Sequence, residues 1–174
     1  LRGRDLDATR GRLSAGALSD VLPVHSGTAT LSWDRAPGAA LPDSVPSVLT
    51  AAVRGFDLVV ADVPRHLDAH GVDIVGRSVL TVLVVAEEIC ALGAARHVLP
   101  RIEACASAIA VVSVSRSGGI GSAAVADALG HPVHTRHRFD RRIRGSVDRG
   151  HGPGTSRSAR RTSASLLDAL GLER

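Results

Sequence analysis

Lysine, methionine and tyrosine are absent from the 174-residue chain, and all 21 basic residues are arginine. Without lysine, a phosphate-loop lysine, a Schiff-base lysine and a lysine general base are excluded within these residues. Aromatics amount to one Trp and two Phe, too few for a base-stacking or carbohydrate-stacking platform. The core must be Val, Leu, Ile and Ala. Two cysteines, Cys90 and Cys105, make no disulfide framework at this length and read as reduced small hydrophobes of a cytoplasmic protein. No apolar run approaches the roughly 18 residues of a membrane-spanning helix. The longest, Val79–Ala86, has Thr81 inside it and suits a buried strand. Leu1–Arg10 alternates charges and has no signal-peptide apolar stretch. With Leu1 in first place and no Met, the residues read as part of a longer polypeptide.

What is present is a globular composition: 44% hydrophobic residues and a mean hydropathy of +0.14 exclude wholesale disorder. The net charge of +4 is unevenly placed. Residues 1–130 carry 11 Arg against 13 acids, and residues 131–174 carry 10 Arg against 4 acids. The basic character belongs to the tail.

Along the chain, short apolar runs alternate with helical patterns. Leu13–Leu22 has a helical apolar face that Pro23 stops. Gly27–Trp33 alternates as a strand does. Asp43 or Ser44 caps a helix over roughly 45–54 that Gly55 ends. Phe56–Asp62, Val79–Ala86 and Ala108–Val114 are near-continuous apolar runs, the mark of strands covered on both faces. Residues 64–78 read as irregular. Glu87–Ala104 is a long helical pattern that Pro100 kinks or divides. Ser115–Gly121 is a glycine-rich loop, and Ser122–Leu129 is a short helix closed by Gly130 and Pro132. Residues 145–163 look like a solvated connector, and Ser163–Leu172 like a last amphipathic helix. Strands separated by helices, too apolar for a one-sided sheet, indicate an α/β fold with a mostly parallel sheet and helices on both faces.

The segment Phe56–Leu67, FDLVVADVPRHL, is the most informative. A hydrophobic strand ending in aspartate sets a carboxylate at the carboxyl edge of a parallel sheet, where ligands of open α/β sheets bind. In phosphoryl-transfer proteins such an aspartate holds magnesium or its water shell. The same pattern also arises when a buried strand simply finishes on a solvated Asp.

FDLVVADVPRHLD, followed by VLTVLVVAEEICALGAARHVLPRIEAC, resembles the deviant-Walker P-loop ATPases that include the ParA and MinD proteins. It is most similar to the actinobacterial septum site-determining (Ssd) branch, related to the CpaE and TadZ pilus-localisation proteins. GRLSAGALSDVLPVHSGTATLSWDR, SRSGGIGSAAVADALGHPV and RRTSASLLDALG are similar to further segments of that branch, in the same order. The resemblance implies a P-loop NTPase-like fold whose phosphate loop, with its strand and helix, lies before Leu1. On it, Asp62 takes the Walker B position, and Pro64 and Arg65 the switch-like turn. Where relatives offer an adenine-contacting Asn there are only Ser113 and Ser115. The implied function is septum placement or polar localisation by binding and positioning. ATP with magnesium is expected only in a full-length parent, and no cofactor for this chain. The implied partners are a second copy or a component of the division or pilus machinery, at a cytoplasmic location peripheral to membrane or septum. On this reading residues 1–144 are the C-terminal part of the α/β domain, and 145–174 a basic linker and helix. A parallel sheet short of its first strand exposes apolar surface, so self-association is expected.

Three other constellations remain. Gly119-x-Gly121-x-x-Ala124 has the form of a dinucleotide fingerprint, with Asp140 placed as a ribose-binding acid would be. That is the alternative of an NAD(P)-dependent oxidoreductase. A glycine loop needed only for a tight turn is the plainer reading, since His131–Phe139 makes a poor buried strand. His131, His134 and His137 suggest metal ligation, but Pro132 forbids a helix through them and solvated histidines are the default. Arg136, Arg138, Arg141, Arg142 and Arg144 form one basic cluster, and Arg157, Arg160 and Arg161 another. They are a candidate partner surface for phosphates, nucleic acid or an anionic membrane, or else a solvated face. Nothing supports nucleophilic catalysis, since the chain has no G-x-S-x-G elbow.

Overall fold

A computed structural model describes residues 14–25, 27–32, 44–152 and 156–172. The chain divides into two compact units, Leu1–Asp62 and Val63–Arg174.

In the first unit, helix α1 (Ala15–Val21) starts at Ser14, whose hydroxyl accepts the Ala17 N–H at 3.1 Å. A short antiparallel hairpin, β1 (Val24–His25) with β2 (Thr28–Ala29), follows where the alternating pattern pointed to a strand; Trp33 lies outside the described residues. Helix α2 (Val45–Gly55) starts at Ser44; Asp43, the other expected cap, lies outside the described residues. Leu18, Val48 and Ala51 form the small core of this unit. A Cβ on Gly55 would come within 2.9 Å of the Ala15 Cβ, so glycine permits the close approach of the two helices.

The second unit is built on a parallel sheet of β3 (Thr81–Ala86), β4 (Ile109–Ser115) and β5 (Val133–Arg138), in the order β3-β4-β5. Val82 pairs with Ala110, Val84 with Val112 and Ser113 with Arg136, so the three carboxyl ends lie side by side. Helix α4 (Ile89–Glu103) and helix α5 (Ser122–Leu129) are the crossovers. Val85, Ala95, Leu99, Val111, Val125 and Leu129 form the main core. Full burial of such side chains contributes about 1.5–3 kcal/mol each. Helix α3 (Ala69–Arg77) packs Val75 with Leu67 and Ile102 in an adjoining cluster. Helices α6 (Arg141–Asp148) and α7 (Arg157–Ala169) complete the unit.

Three expectations need correction, those over residues 56–62, 64–78 and 145–163, and two others are made sharper, those at His131–Phe139 and Pro100. Phe56–Asp62 forms no strand, and Leu58, Val59 and Val60 are exposed. Apolar character supplies a reason for burial but not a hydrogen-bonding neighbour, and no described strand pairs with this run. Residues 69–77 are helical, started by Asp68, whose carboxylate accepts the Gly71 N–H at 2.8 Å. His131–Phe139 does supply a strand: β5 lies at the sheet's edge, which tolerates the alternation of half-buried Val133, Thr135 and His137 with exposed Arg and His. Pro100 does not divide α4, which is continuous across it. The supposed connector contains most of α6 and the start of α7, set off by the caps Asp140 and Ser156. Among the described residues the outer edge of β3 is unpaired, and on one of its faces Val82 and Val84 remain exposed.

Candidate functional site

The carboxyl edge of the sheet is organised by a residue that the sequence pattern passes over. Glu87 follows β3 directly and its side chain is 1% exposed. Its N–H donates to the Val114 carbonyl at 3.0 Å, continuing the ladder, and its carbonyl accepts the Ile120 N–H at 2.9 Å. A Cβ on Gly119 would lie 2.8 Å from that same carbonyl oxygen. The glycine loop is therefore seated on the Glu87 backbone, and Gly119 is glycine because nothing larger fits there.

The Glu87 carboxylate meets only donors. Arg136 on β5 donates Nε–H to Oε1 at 2.6 Å and Nη2–H to Oε2 at 2.7 Å, and the Ser113 hydroxyl on β4 donates to Oε1 at 3.0 Å. The bond from Arg136 holds the Glu87 carboxyl below the usual carboxylate range, outweighing burial, with Ser113 acting in the same sense. At the rim, Arg116 stacks on Phe139 at 4.1 Å and reaches Glu88 at 3.4 Å. Ser115, on the same edge, donates to the His137 carbonyl at 3.4 Å.

The residues expected from sequence fall elsewhere. Asp62 is exposed at the end of the first unit, and Pro64 and Arg65 are exposed in the irregular start of the second. None of the three makes a side-chain hydrogen bond or ion pair among the described residues. Asp140 is the cap of α6, its carboxylate accepting the Arg142 N–H at 2.9 Å. The three histidines go to three different partners: His131 to Glu103 at 2.7 Å, His134 to Ser165 at 3.1 Å and His137 to Thr162 at 3.1 Å. Among the described residues no three His, Cys, Asp or Glu side chains gather as a metal site.

The arginine clusters are separated by the fold. Arg136 is held by Glu87, whereas Arg138, Arg141, Arg142 and Arg144 are exposed on β5 and α6. Arg157, Arg160 and Arg161 project from α7, a helix with no buried residue, which meets β5 through His134, His137 and the Ser158 hydroxyl. With His134, Ser165 and Asp168 they line an open groove of about 680 Å³.

A solved ParA family ATPase from Chlorobium tepidum TLS superposes with a TM-score of 0.72 at 18% identity, covering 86% of this chain and 67% of that one. The fold is that of a ParA-type ATPase. At this identity the likeness speaks for the fold alone. Two curated relatives from Mycobacterium tuberculosis, the uncharacterized proteins MT3760 and Rv3660c, are each 31% identical over 151 residues. The match takes in 86% of this chain and 43% of each relative, so the chain spans less than half the length of the relatives it matches. No protein-family model matches. Among the described residues, no helix is long and apolar enough to cross a membrane.

A ParA-type fold implies ATP with magnesium. The residues present do not fit it on their own: the cation of a phosphate loop is lysine, and the chain has none.

Proposed function

We propose that this chain is part of a ParA/MinD-like positioning protein of the septum site-determining type, acting in septum placement or polar localisation. The observation that carries the reading is the parallel β3-β4-β5 sheet with its crossovers, which superposes on a ParA family ATPase. The ordered sequence resemblance from Gly11 to Gly171 narrows it to this branch. Such a protein works by binding rather than turnover: small differences in affinity between states shift populations between free and attached forms. In a full-length parent that carries a phosphate loop, ATP with magnesium would be held with Asp62 as the Walker B-like carboxylate and Pro64 and Arg65 as the switch turn. Residues 145–174 act as a basic extension of the α/β part. The exposed arginines of β5, α6 and α7 form the surface that meets its partner, a second copy or a division or pilus component, at a cytoplasmic membrane or septal site.

The test is genetic. Deletion and overexpression of the full-length parent should each disturb septum placement. Normal division in both backgrounds would refute the reading.

The α7 groove favours one second reading, a nucleic-acid contact that neutralises phosphates with Arg157, Arg160 and Arg161. The oxidoreductase alternative loses its ribose acid, because Asp140 serves as a helix cap.

A further inference from the structure

The Glu87 carboxylate is gripped by a set of donors whose geometry suits any small oxyanion. Remove it, and what remains is the Nε–H and Nη2–H of Arg136 on one side and the hydroxyl of Ser113, itself fully buried, on the other. Among the described residues those donors have no side-chain acceptor other than Glu87. The Arg136 side chain is 53% exposed, so the guanidinium that grips Glu87 also reaches solvent. The donor set lies at the carboxyl ends of β3, β4 and β5, the edge where open α/β sheets take their ligands.

Stability alone does not account for the arrangement. Only the Glu87 end of the pair is buried: Arg136 is screened by solvent, and desolvation of the carboxylate offsets much of the attraction. The Glu87 backbone is held at both its N–H and its carbonyl, so the carboxylate can leave by side-chain rotation while the glycine loop stays seated. A bidentate guanidinium with a hydroxyl beside it matches a carboxylate or a phosphate monoester.

We propose that Glu87 is a tethered stand-in for a small oxyanion, and that these donors form a ligand site for a carboxylate or phosphate group that competes with it. The proposal is independent of any role in septum placement, and concerns only the Glu87, Ser113 and Arg136 side chains.

The test uses the full chain with Glu87→Ala, Glu87→Gln and Glu87→Ala/Arg136→Gln variants. Thermal unfolding is followed against sodium formate, acetate and phosphate, with chloride holding ionic strength constant. Expected is a saturable rise in Tm for Glu87→Ala at millimolar anion. Wild type should need at least about tenfold more anion, since its own carboxylate competes, and the double variant should not respond. A response to formate and acetate alone assigns a carboxylate ligand, and one to phosphate alone a phosphate ligand. Equal responses from wild type, Glu87→Ala and the double variant, or none from any, overturn the proposal. If Glu87→Ala does not fold, Glu87→Gln, which keeps the volume but weakens the grip of Arg136, is titrated with the same anions. The Arg136 Nε resonance is then the readout: a saturable shift supports the site, and an unmoved resonance refutes it.

Discussion

Arg136 on the edge strand β5 holds both carboxylate oxygens of Glu87 across the end of β4, at 2.6 and 2.7 Å. This bond ties the ends of three strands and the glycine loop into one unit, since the Glu87 carbonyl also holds the Ile120 amide.

That tie carries a pH signature. The Glu87 carboxyl is held below its ordinary range, so its contribution to stability is complete above the unfolded-state pKa of about 4.3. It is lost as pH falls from there through the lowered folded-state pKa. Urea unfolding of wild type and Glu87→Gln at pH 7, 5 and 3 should show wild type ahead at pH 7 and the gap closing by pH 3. A gap constant with pH would show that Glu87 is not ionised in the fold.

Gly119 is fixed by space. A methyl group there would meet the Glu87 carbonyl at 2.8 Å, so Gly119→Ala should cost about 2 kcal/mol by overpacking. Gly121 makes a different demand: its φ of +86 places it where an L side chain is strained although nothing crowds it, so Gly121→Ala should cost about 1 kcal/mol or more. Chemical denaturation of both variants is the check, and a neutral Gly119→Ala would mean that the loop does not sit on Glu87.

The two faces of β3 and its surroundings should respond unequally. Leu99, 5% exposed in the main core, should lose about 2–5 kcal/mol on truncation to Ala. Val84, 62% exposed on the other face, should change stability by less than about 0.5 kcal/mol when replaced by Thr. Thermal or urea unfolding of the two variants separates these outcomes. A large loss at Val84 would mean that this face is covered in solution.

Much of the second unit was legible from sequence. Ile109–Ser115 and Ser122–Leu129 stand out because an apolar run, a glycine loop and a helix closed by Gly130 follow each other without ambiguity. β5 was obscured because an edge strand needs only its inward residues, Val133, Thr135 and His137, to pack. Helix α3 was obscured because it buries only Gly71 and Val75, although the Asp68 cap was a usable signal. Asp62 stands out in the sequence, since an aspartate ending an apolar run is a familiar ligand position, but that run has no pairing partner among the described residues. Glu87 ends a run that does pair, and the doubled acid of Ala86-Glu87-Glu88 was the signal available. Its partner, Arg136, lies 49 residues away, a distance only the fold can close.

The groove of α7 gives a further prediction. Replacing Arg157, Arg160 and Arg161 with Gln should weaken binding to duplex DNA or heparin and flatten its salt dependence. The slope of log K against log salt should fall by about 2 to 3 if all three meet phosphates. An unchanged slope in a filter-binding or fluorescence titration would place the contact elsewhere.

The central claim, positioning by binding through the exposed arginines, is tested most directly by imaging the full-length parent as a fluorescent fusion in dividing cells. The wild type is compared with its Arg157→Gln/Arg160→Gln/Arg161→Gln variant at matched expression. The account predicts wild-type foci at septa or poles and a diffuse variant. A diffuse wild type, or identical foci in the two proteins, would contradict it.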